Sequence, residues 1–128
     1  SVKEIFQSMD YGPAPEGSAE AMAWIRGHGG RFGHWIDGAF TRAGETFATR
    51  NPATGAVLAE VTQGTGADVA AAVAAARRAQ PRWAALGGHG RARVLYALGR
   101  LVQKQSRLLA VLETLDNGKP IRESRDID

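Results

Sequence analysis

LETLDNGKP, the stretch at residues 112–120, ends one helix and prevents its extension. Asn117 and Gly118 favour a helix C-terminus because glycine adopts left-handed backbone angles at little cost, and Pro120 cannot continue the helix. Ser106 is predicted to cap the start of this helix. Its apolar stripe consists of Leu108, Leu109, Leu112 and Leu115.

A second amphipathic helix is predicted upstream, after a glycine-rich break at Leu86–Gly90. Its apolar positions recur with helical spacing at Val94, Leu95, Leu98, Leu101 and Val102. Before the break, alanines fill one side of a predicted helix over Asp68–Gln80, which Pro81 should terminate or kink. Thr65 and Asp68 resemble a capping box at its start.

Strands are predicted nearer the N-terminus. Asp37-Gly38 suits a type I′ hairpin turn, because both central residues of that turn need positive φ. The turn should join Trp35–Ile36 to Ala39–Phe40. A strand, a tight turn and a returning strand are then predicted over Thr46–Arg50, Asn51–Gly55 and Val57–Val61.

Two short helices are predicted at the beginning of the chain. The first covers Lys3–Met9 and ends where prolines and glycines occupy residues 11–17. Ser18 is a favourable N-cap for the second helix, which should reach about Arg26. Its predicted buried side chains are Met22, Trp24 and Ile25.

The composition excludes several classes of function. With 128 residues, 44% of them hydrophobic and 23% charged, the chain resembles one ordinary globular domain. The absence of cysteine excludes disulfides, thiolate metal sites and a thiol nucleophile within it. No apolar run approaches the roughly 20 residues of a membrane span, and Ser1–Gln7 has no signal-peptide pattern. A cytoplasmic protein without membrane attachment is therefore expected.

The glycines and histidines do not indicate a ligand site. None of the glycine clusters at 27–33, 64–66 and 87–90 has the spacing of a dinucleotide-binding turn. The three histidines each adjoin a glycine and lie far apart, which favours loop positions over metal ligation. They are His28, His34 and His89.

Three segments in this order and spacing resemble the aldehyde dehydrogenase superfamily. They are the Asn51–Gly55 turn with its following strand, Ala67-Asp68-Val69 with the alanine-rich helix and Trp83, and Leu112–Pro120. The hairpin at Trp35–Phe40 also matches the opening strands of that family, and Glu4–Glu16 resembles the N-terminal extension of its family-16 members. The resemblance spans the whole chain.

The resemblance implies an α/β parent fold, of which this segment supplies a mainly helical part with an N-terminal β-hairpin. Residues 1–33 would form a helical N-terminal extension, and residues 34–128 the truncated first part of an NAD(P)-binding domain. Such enzymes oxidise an aldehyde through attack by a cysteine thiolate, with hydride transfer to NAD or NADP. In the family, the catalytic cysteine, glutamate and asparagine and the cofactor-binding residues all follow the segment that matches Leu112–Pro120. No catalytic or cofactor-binding residue is therefore assigned here, and the chain alone is expected to be inactive and to bind no cofactor.

The resemblance also implies one metal site. In some relatives, the counterpart of Asp116 and backbone carbonyls near Thr49 and Arg50 hold a structural monovalent cation. Carbonyl ligands do not depend on side-chain type, so Arg50 does not exclude such a site. The alternative is a buried Asp116 that only caps backbone groups.

The apolar stripes and the charge distribution suggest partners. In the parent, the stripes would pack on a parallel sheet that lies in the remainder of the dehydrogenase chain; alone, they favour a homo-oligomer. An alternative is a small helical binding or oligomerisation module for an acidic partner, because Val69–Leu112 contains eight basic residues and no acidic one. Aromatic residues do not interleave with the basic residues of this 77–107 face in the manner of a base-stacking surface, so nucleic acid is not the expected partner. A third possibility is a scaffold in a non-catalytic parent.

Overall fold

The computed structural model describes residues 17–41 and 44–126. Most of these residues are helical, which confirms the expected mainly helical fragment with a few strands. The helices are α1 (Ala19–Gly27), α2 (Gly66–Ala85), α3 (Gly87–Lys104), α4 (Ser106–Asn117) and α5 (Ile121–Asp126). The strands are β1 (Arg31–Phe32), β2 (Trp35–Ile36), β3 (Ala39–Phe40), β4 (Thr46–Arg50) and β5 (Val57–Thr62). The helix predicted over Lys3–Met9 lies outside the described residues.

A three-stranded sheet has the order β1-β5-β4, with β4 antiparallel and β1 parallel to β5. Strand β1 was not predicted, because two residues are too few to show the alternation of apolar and polar residues that indicates a strand. The glycines Gly29 and Gly30, with φ of 72° and 63°, reverse the chain between α1 and β1. The carbonyl of Gly30 then accepts a 2.8 Å hydrogen bond from the backbone N–H of Glu60.

The turn between β4 and β5 has the predicted chemistry. The side-chain oxygen of Asn51 accepts from the N–H of Ala53 at 2.9 Å, and Gly55 has a φ of 73°. The strand register shifts between Thr49 and Arg50, and such an irregularity bends a strand locally.

The β2–β3 hairpin also forms as predicted. Both turn residues have positive φ, 54° at Asp37 and 81° at Gly38, as a type I′ turn requires. The rings of Trp35 and Phe40 meet edge to face across the strands, with centroids 4.7 Å apart. A 2.8 Å ion pair between Arg78 and Asp37 joins the hairpin to α2.

The capping box at the start of α2 is confirmed. The Thr65 hydroxyl accepts from the N–H of Asp68 at 3.2 Å, and the Asp68 carboxylate accepts from the N–H of Thr65 at 2.8 Å. Of the two outcomes predicted at Pro81, termination is wrong, because α2 continues to Ala85. Proline removes its own N–H and its ring crowds the carbonyl one turn earlier, yet the helix continues past it.

The joints between α2, α3 and α4 are shorter than expected. The break predicted over Leu86–Gly90 is present but shorter, since Leu86 alone separates α2 from α3 and Gly87, with a φ of 66°, makes the turn. The predicted cap at Ser106 is wrong: Gln105 occupies the cap position and Ser106 is already helical. Ser18 does precede α1, but its backbone is helical and its side chain makes no capping hydrogen bond.

The core is small and consists mainly of alanines. The buried apolar side chains in the described part are Ala21, Ile25, Ala59, Ala75, Ala110 and Val111. Helix α1 contacts α4 and β5. Of the three side chains predicted to be buried in α1, only Ile25 is, because Met22 is half-buried and Trp24 remains 37% exposed.

The capping box predicts a pH dependence. Hydrogen bonds from the Thr65 hydroxyl and then the Thr65 N–H lower the pKa of Asp68. A carboxylate with a lowered folded-state pKa stabilises the fold above its unfolded pKa of about 4, and that contribution is lost as the pH falls through the folded value. Thermal unfolding from pH 7 to pH 3 should therefore show wild type more stable than Asp68→Asn at pH 7, with the difference shrinking below about pH 4. A constant difference would contradict this assignment.

Candidate functional site

The β4–β5 turn and the end of α4 are in direct contact. The Thr49 hydroxyl donates a hydrogen bond to a carboxylate oxygen of Asp116, 67 positions later in the chain. A Cβ atom at Gly118 would lie only 2.8 Å from Cγ of Pro52. Two of the three segments that carry the family resemblance therefore form one joint, which we call the turn–helix joint (residues 49–55 and 116–120).

The helix end at this joint is held by local hydrogen bonds. Gly118 has the predicted left-handed backbone, with a φ of 77°. The Asn117 side chain accepts from the N–H of Lys119 at 2.8 Å and donates to the Glu113 carboxylate at 2.9 Å. The Lys119 ammonium lies 3.7 Å from the same carboxylate. Together these contacts fix the direction in which the chain leaves α4.

The structure places Thr49 and Asp116, two of the residues expected at the cation site, in contact through the Thr49 hydroxyl. The Arg50 guanidinium extends along the turn and donates to the Gly55 carbonyl at 3.0 Å. The ligands expected at Thr49 and Arg50 are their backbone carbonyls, which these side-chain contacts do not involve. In this segment Asp116 is exposed, and the group that donates to it is the Thr49 side chain and not a backbone N–H. Asp116 lies in the last turn of α4, beside β4.

An apolar cleft of about 730 Å³ lies between α1, one face of the sheet and α4. The sequence did not predict it, because its walls come from separate parts of the chain. Its aromatic wall is formed by Trp24 and Phe32, whose rings stack with centroids 5.6 Å apart. The remaining apolar lining comprises Ile25, Leu58, Ala59, Val61, Val102, Leu109, Ala110, Leu112 and Leu115.

The predicted stripe of α3 is uncovered. Its side chains are 46–61% exposed: Val94, Leu95, Leu98, Leu101 and Val102. We call this stripe the α3 face. Leu109 of α4 is also exposed, at 44%. Stable monomers rarely leave an apolar surface of this extent in water.

The basic side chains do not form one continuous face. Arg78 pairs with Asp37, Arg91 donates to the Ala84 carbonyl at 3.2 Å, and Arg100 donates to the Gln103 side chain at 3.0 Å. At about 100° per residue, the basic residues in the middle and at the end of α3 lie opposite the α3 face. They are Arg93, Arg100 and Lys104.

Two further kinds of site are absent from the described residues. No helix within residues 17–41 and 44–126 is long and apolar enough to cross a membrane. The same part of the chain contains no group of three or more His, Cys, Asp or Glu side chains that could hold a metal ion. The cation site expected at Thr49 and Arg50 differs from such a group, because its ligands would include backbone carbonyl oxygens.

Comparison with known proteins identifies the family. The model of the aldehyde dehydrogenase family matches residues 40–128. The chain belongs to the aldehyde dehydrogenase family. The turn–helix joint lies entirely inside this match, so the contact between the turn and the helix end belongs to the family segment.

Individual aldehyde dehydrogenases support the assignment. The chain is 42% identical over 94 residues to the 5-carboxymethyl-2-hydroxymuconate semialdehyde dehydrogenase of Escherichia coli, covering 73% of this chain and 20% of that relative. It is 44% identical over 93 residues to the betaine aldehyde dehydrogenase of Rhizobium leguminosarum bv. trifolii (strain WSM2304), covering 71% and 19%. The NAD⁺ complex of an aldehyde dehydrogenase from Bacillus cereus is similar in structure, with a TM-score of 0.76, 38% identity and coverage of 86% and 23%. The chain thus spans about a fifth of the length of the curated relatives it matches.

The turn–helix joint of this aldehyde dehydrogenase segment predicts an effect of one glycine. Gly118→Ala should lower the free energy of unfolding by about 1–2 kcal/mol, because alanine resists the left-handed backbone and its Cβ would press on Pro52. Gly99→Ala is the matched control: nothing lies within 4 Å of that position in α3, so alanine should stabilise the helix by about 0.5–1 kcal/mol. Urea denaturation followed by circular dichroism at one protein concentration measures both. Equal effects at the two positions would rule out a special role for Gly118.

Proposed function

We propose that this chain is the N-terminal scaffold segment of an NAD(P)-dependent aldehyde dehydrogenase, and that the rest of the parent covers the α3 face. The observation that carries the proposal is the half-exposed apolar stripe of α3, in a family segment that spans a fifth of its relatives. An amphipathic helix gains most of its stability from packing its apolar face. A helix with an uncovered face inside a family segment is therefore one side of an incomplete core.

In this proposal, the parent oxidises an aldehyde to a carboxylate through a cysteine thiohemiacetal. The segment supplies no thiolate nucleophile, since it contains no cysteine. In this proposal the cofactor contacts also come from the rest of the parent, and the segment is inactive alone. The cofactor of the parent is NAD or NADP, in keeping with the NAD⁺ complex of the Bacillus cereus relative. Residues 4–16 favour the family-16 type, with a helical extension over residues 1–33 and the NAD(P)-binding domain beginning at residue 34.

The expected partners belong to the same proposal. The first is the remainder of the dehydrogenase chain, which would cover the α3 face, and the second is a further copy of the protein in a homo-oligomer. A cytoplasmic location completes the proposal, and fractionation of cells that produce the parent would test it.

The turn–helix joint would also hold a structural monovalent cation in the parent. Its ligands would be the backbone carbonyls of Thr49 and Arg50 and the carboxylate of Asp116, with the remaining ligand from the rest of the parent. The contact between Thr49 and Asp116 supports the fit, because it places the Asp116 carboxylate beside residue 49. Anomalous scattering from crystals of the parent soaked in rubidium or thallium would show a peak beside Asp116, and a map without that peak would remove the site.

The test of the dehydrogenase function is the reading frame beyond Asp128, followed by an assay of its product. We expect several hundred further residues with a cysteine nucleophile and a glutamate base. The full-length protein should reduce NAD⁺ or NADP⁺ when an aldehyde is supplied, whereas residues 1–128 alone should not. A frame that ends near Asp128 would refute the enzyme reading. Salt-sensitive binding of an acidic partner by the 128 residues would then favour the binding-module alternative.

A further inference from the structure

A second cavity, of about 580 Å³, lies beside the loop between α1 and β1. Its lining includes both residues of β1, together with Phe40 of β3 and Thr62 of β5. Gly27 at the end of α1 and Gly29 of the loop also form part of its wall. Its volume is within the range of small-molecule sites. We call it the loop cavity.

Two polar side chains of the loop cavity, those of Thr62 and Arg31, have no side-chain partner among the described residues. Thr62 is only 5% exposed, yet no described residue forms a hydrogen bond with its hydroxyl. Arg31 is exposed at the cavity wall and forms no ion pair with any side chain in the described part. These two groups therefore offer one donor and one positive charge to a molecule in the cavity.

The remaining walls are aromatic and fixed in place. Phe32 lines one side, and its ring stacks with Trp24 and His28 at centroid distances of 5.6 and 6.0 Å. The His28 ring is held by a 2.8 Å contact between Nδ1 and the Trp24 carbonyl. Phe40, also in the wall, packs against Trp35. Such walls favour a flat ring, because aromatic groups pack well edge to face or stacked.

The loop itself cannot hold a phosphate group. A phosphate-binding loop needs free backbone N–H groups. Here the N–H of Gly29 donates to Arg26, and the N–H of Gly30 donates to Ile25, both at 2.9 Å. Arg31 is then the main charge in the cavity wall, which suits a single carboxylate better than a phosphate.

We propose that the loop cavity binds a single-ring aromatic carboxylate. Its ring packs between Phe32 and Phe40, and its carboxylate pairs with the Arg31 guanidinium. A polar substituent on the ring reaches the Thr62 hydroxyl. This site is separate from the turn–helix joint and independent of the dehydrogenase proposal.

Titration of the 128-residue chain with 4-hydroxybenzoate, followed by isothermal calorimetry and ¹⁵N NMR, tests the proposal. We expect saturable binding with a Kd on the order of 1 mM or tighter, and shifted amide signals of Gly29 and Phe32. Arg31→Gln should weaken binding at least tenfold, in line with the loss of a charge-assisted hydrogen bond. Arg93→Gln, an equal charge change on exposed α3, should alter it less than twofold.

Two ligand comparisons complete the test. Cyclohexanecarboxylate, which has the charge without the flat ring, should bind at least fivefold more weakly than benzoate. In Thr62→Val, 4-hydroxybenzoate should lose its advantage over benzoate, a readout that a general loss of folding would not produce. Three results would each overturn the proposal. They are the absence of saturable binding, unchanged affinity in Arg31→Gln, and equal affinities for cyclohexanecarboxylate and benzoate.

Discussion

Leu98→Asp in the full-length protein is expected to reduce the yield of soluble, active enzyme roughly tenfold or more. Leu98 lies at the centre of the α3 face and is 55% exposed in the isolated segment. If the parent covers this face, the substitution removes a buried leucine, which alone costs about 2–5 kcal/mol, and places a carboxylate in an apolar interface. That loss is comparable to the 5–15 kcal/mol by which a typical domain is stable.

Tyr96→Asp supplies the matched control for this prediction. Tyr96 is on the same helix and is 72% exposed, but it lies about 160° around the helix from Leu98. Soluble yield, the unfolding midpoint and aldehyde oxidation should change little in this variant. If Leu98→Asp is tolerated as well as Tyr96→Asp, the α3 face is not covered in the parent, and the scaffold role proposed for this segment is wrong.

The elements that could be predicted from sequence are those whose cause is local. The Asp37-Gly38 turn and the Thr65–Asp68 capping box each depend on residues at most three positions apart. The left-handed end of α4 at Gly118 likewise depends on the glycine itself. In each case, the residues of the sequence motif themselves make the interaction that determines the local backbone conformation.

The elements that could not be predicted depend on distant residues or on the sum of weak preferences. Strand β1 has two residues and exists because β5 offers it hydrogen bonds. Helix α2 passes Pro81 because the residues on both sides favour a helix. Single residues, Leu86 and Gln105, separate α2 from α3 and α3 from α4. One residue is enough to change the direction of the backbone when the next residue already begins a helix.

The candidate site shows the same division. Periodicity predicted the α3 stripe, but only the structure shows that nothing in the described residues covers it. Thr49 and Asp116 are far apart in sequence, and no spacing rule links them. Only the family resemblance indicated both as residues of one cation site, and the structure places them in contact. The loop cavity had no sequence signal, because Arg31, Phe40 and Thr62 belong to three different strands.

The isolated 128-residue chain is expected to self-associate at micromolar concentration and to bind a dye that reports exposed apolar surface. The α3 face has no cover within the described chain, and a second copy is the nearest source of a matching apolar surface. Sedimentation velocity between about 1 and 100 μM should show species larger than a monomer. The average mass should fall on dilution.

The double variant Leu98→Asp/Leu101→Asp should shift this equilibrium toward monomer. In a two-fold symmetric dimer each substitution acts in both copies. The half-exposed side chains contribute on the order of 1 kcal/mol each. The four side chains of the dimer together contribute about 4 kcal/mol, so the dissociation constant should rise by roughly a thousandfold. Tyr96→Asp should leave it within about threefold, because its side chain points away from the α3 face. A compact wild-type monomer that binds no dye would contradict the prediction. Such a result would mean that the segment buries the α3 face by itself, so that the rest of the parent is not needed to cover it.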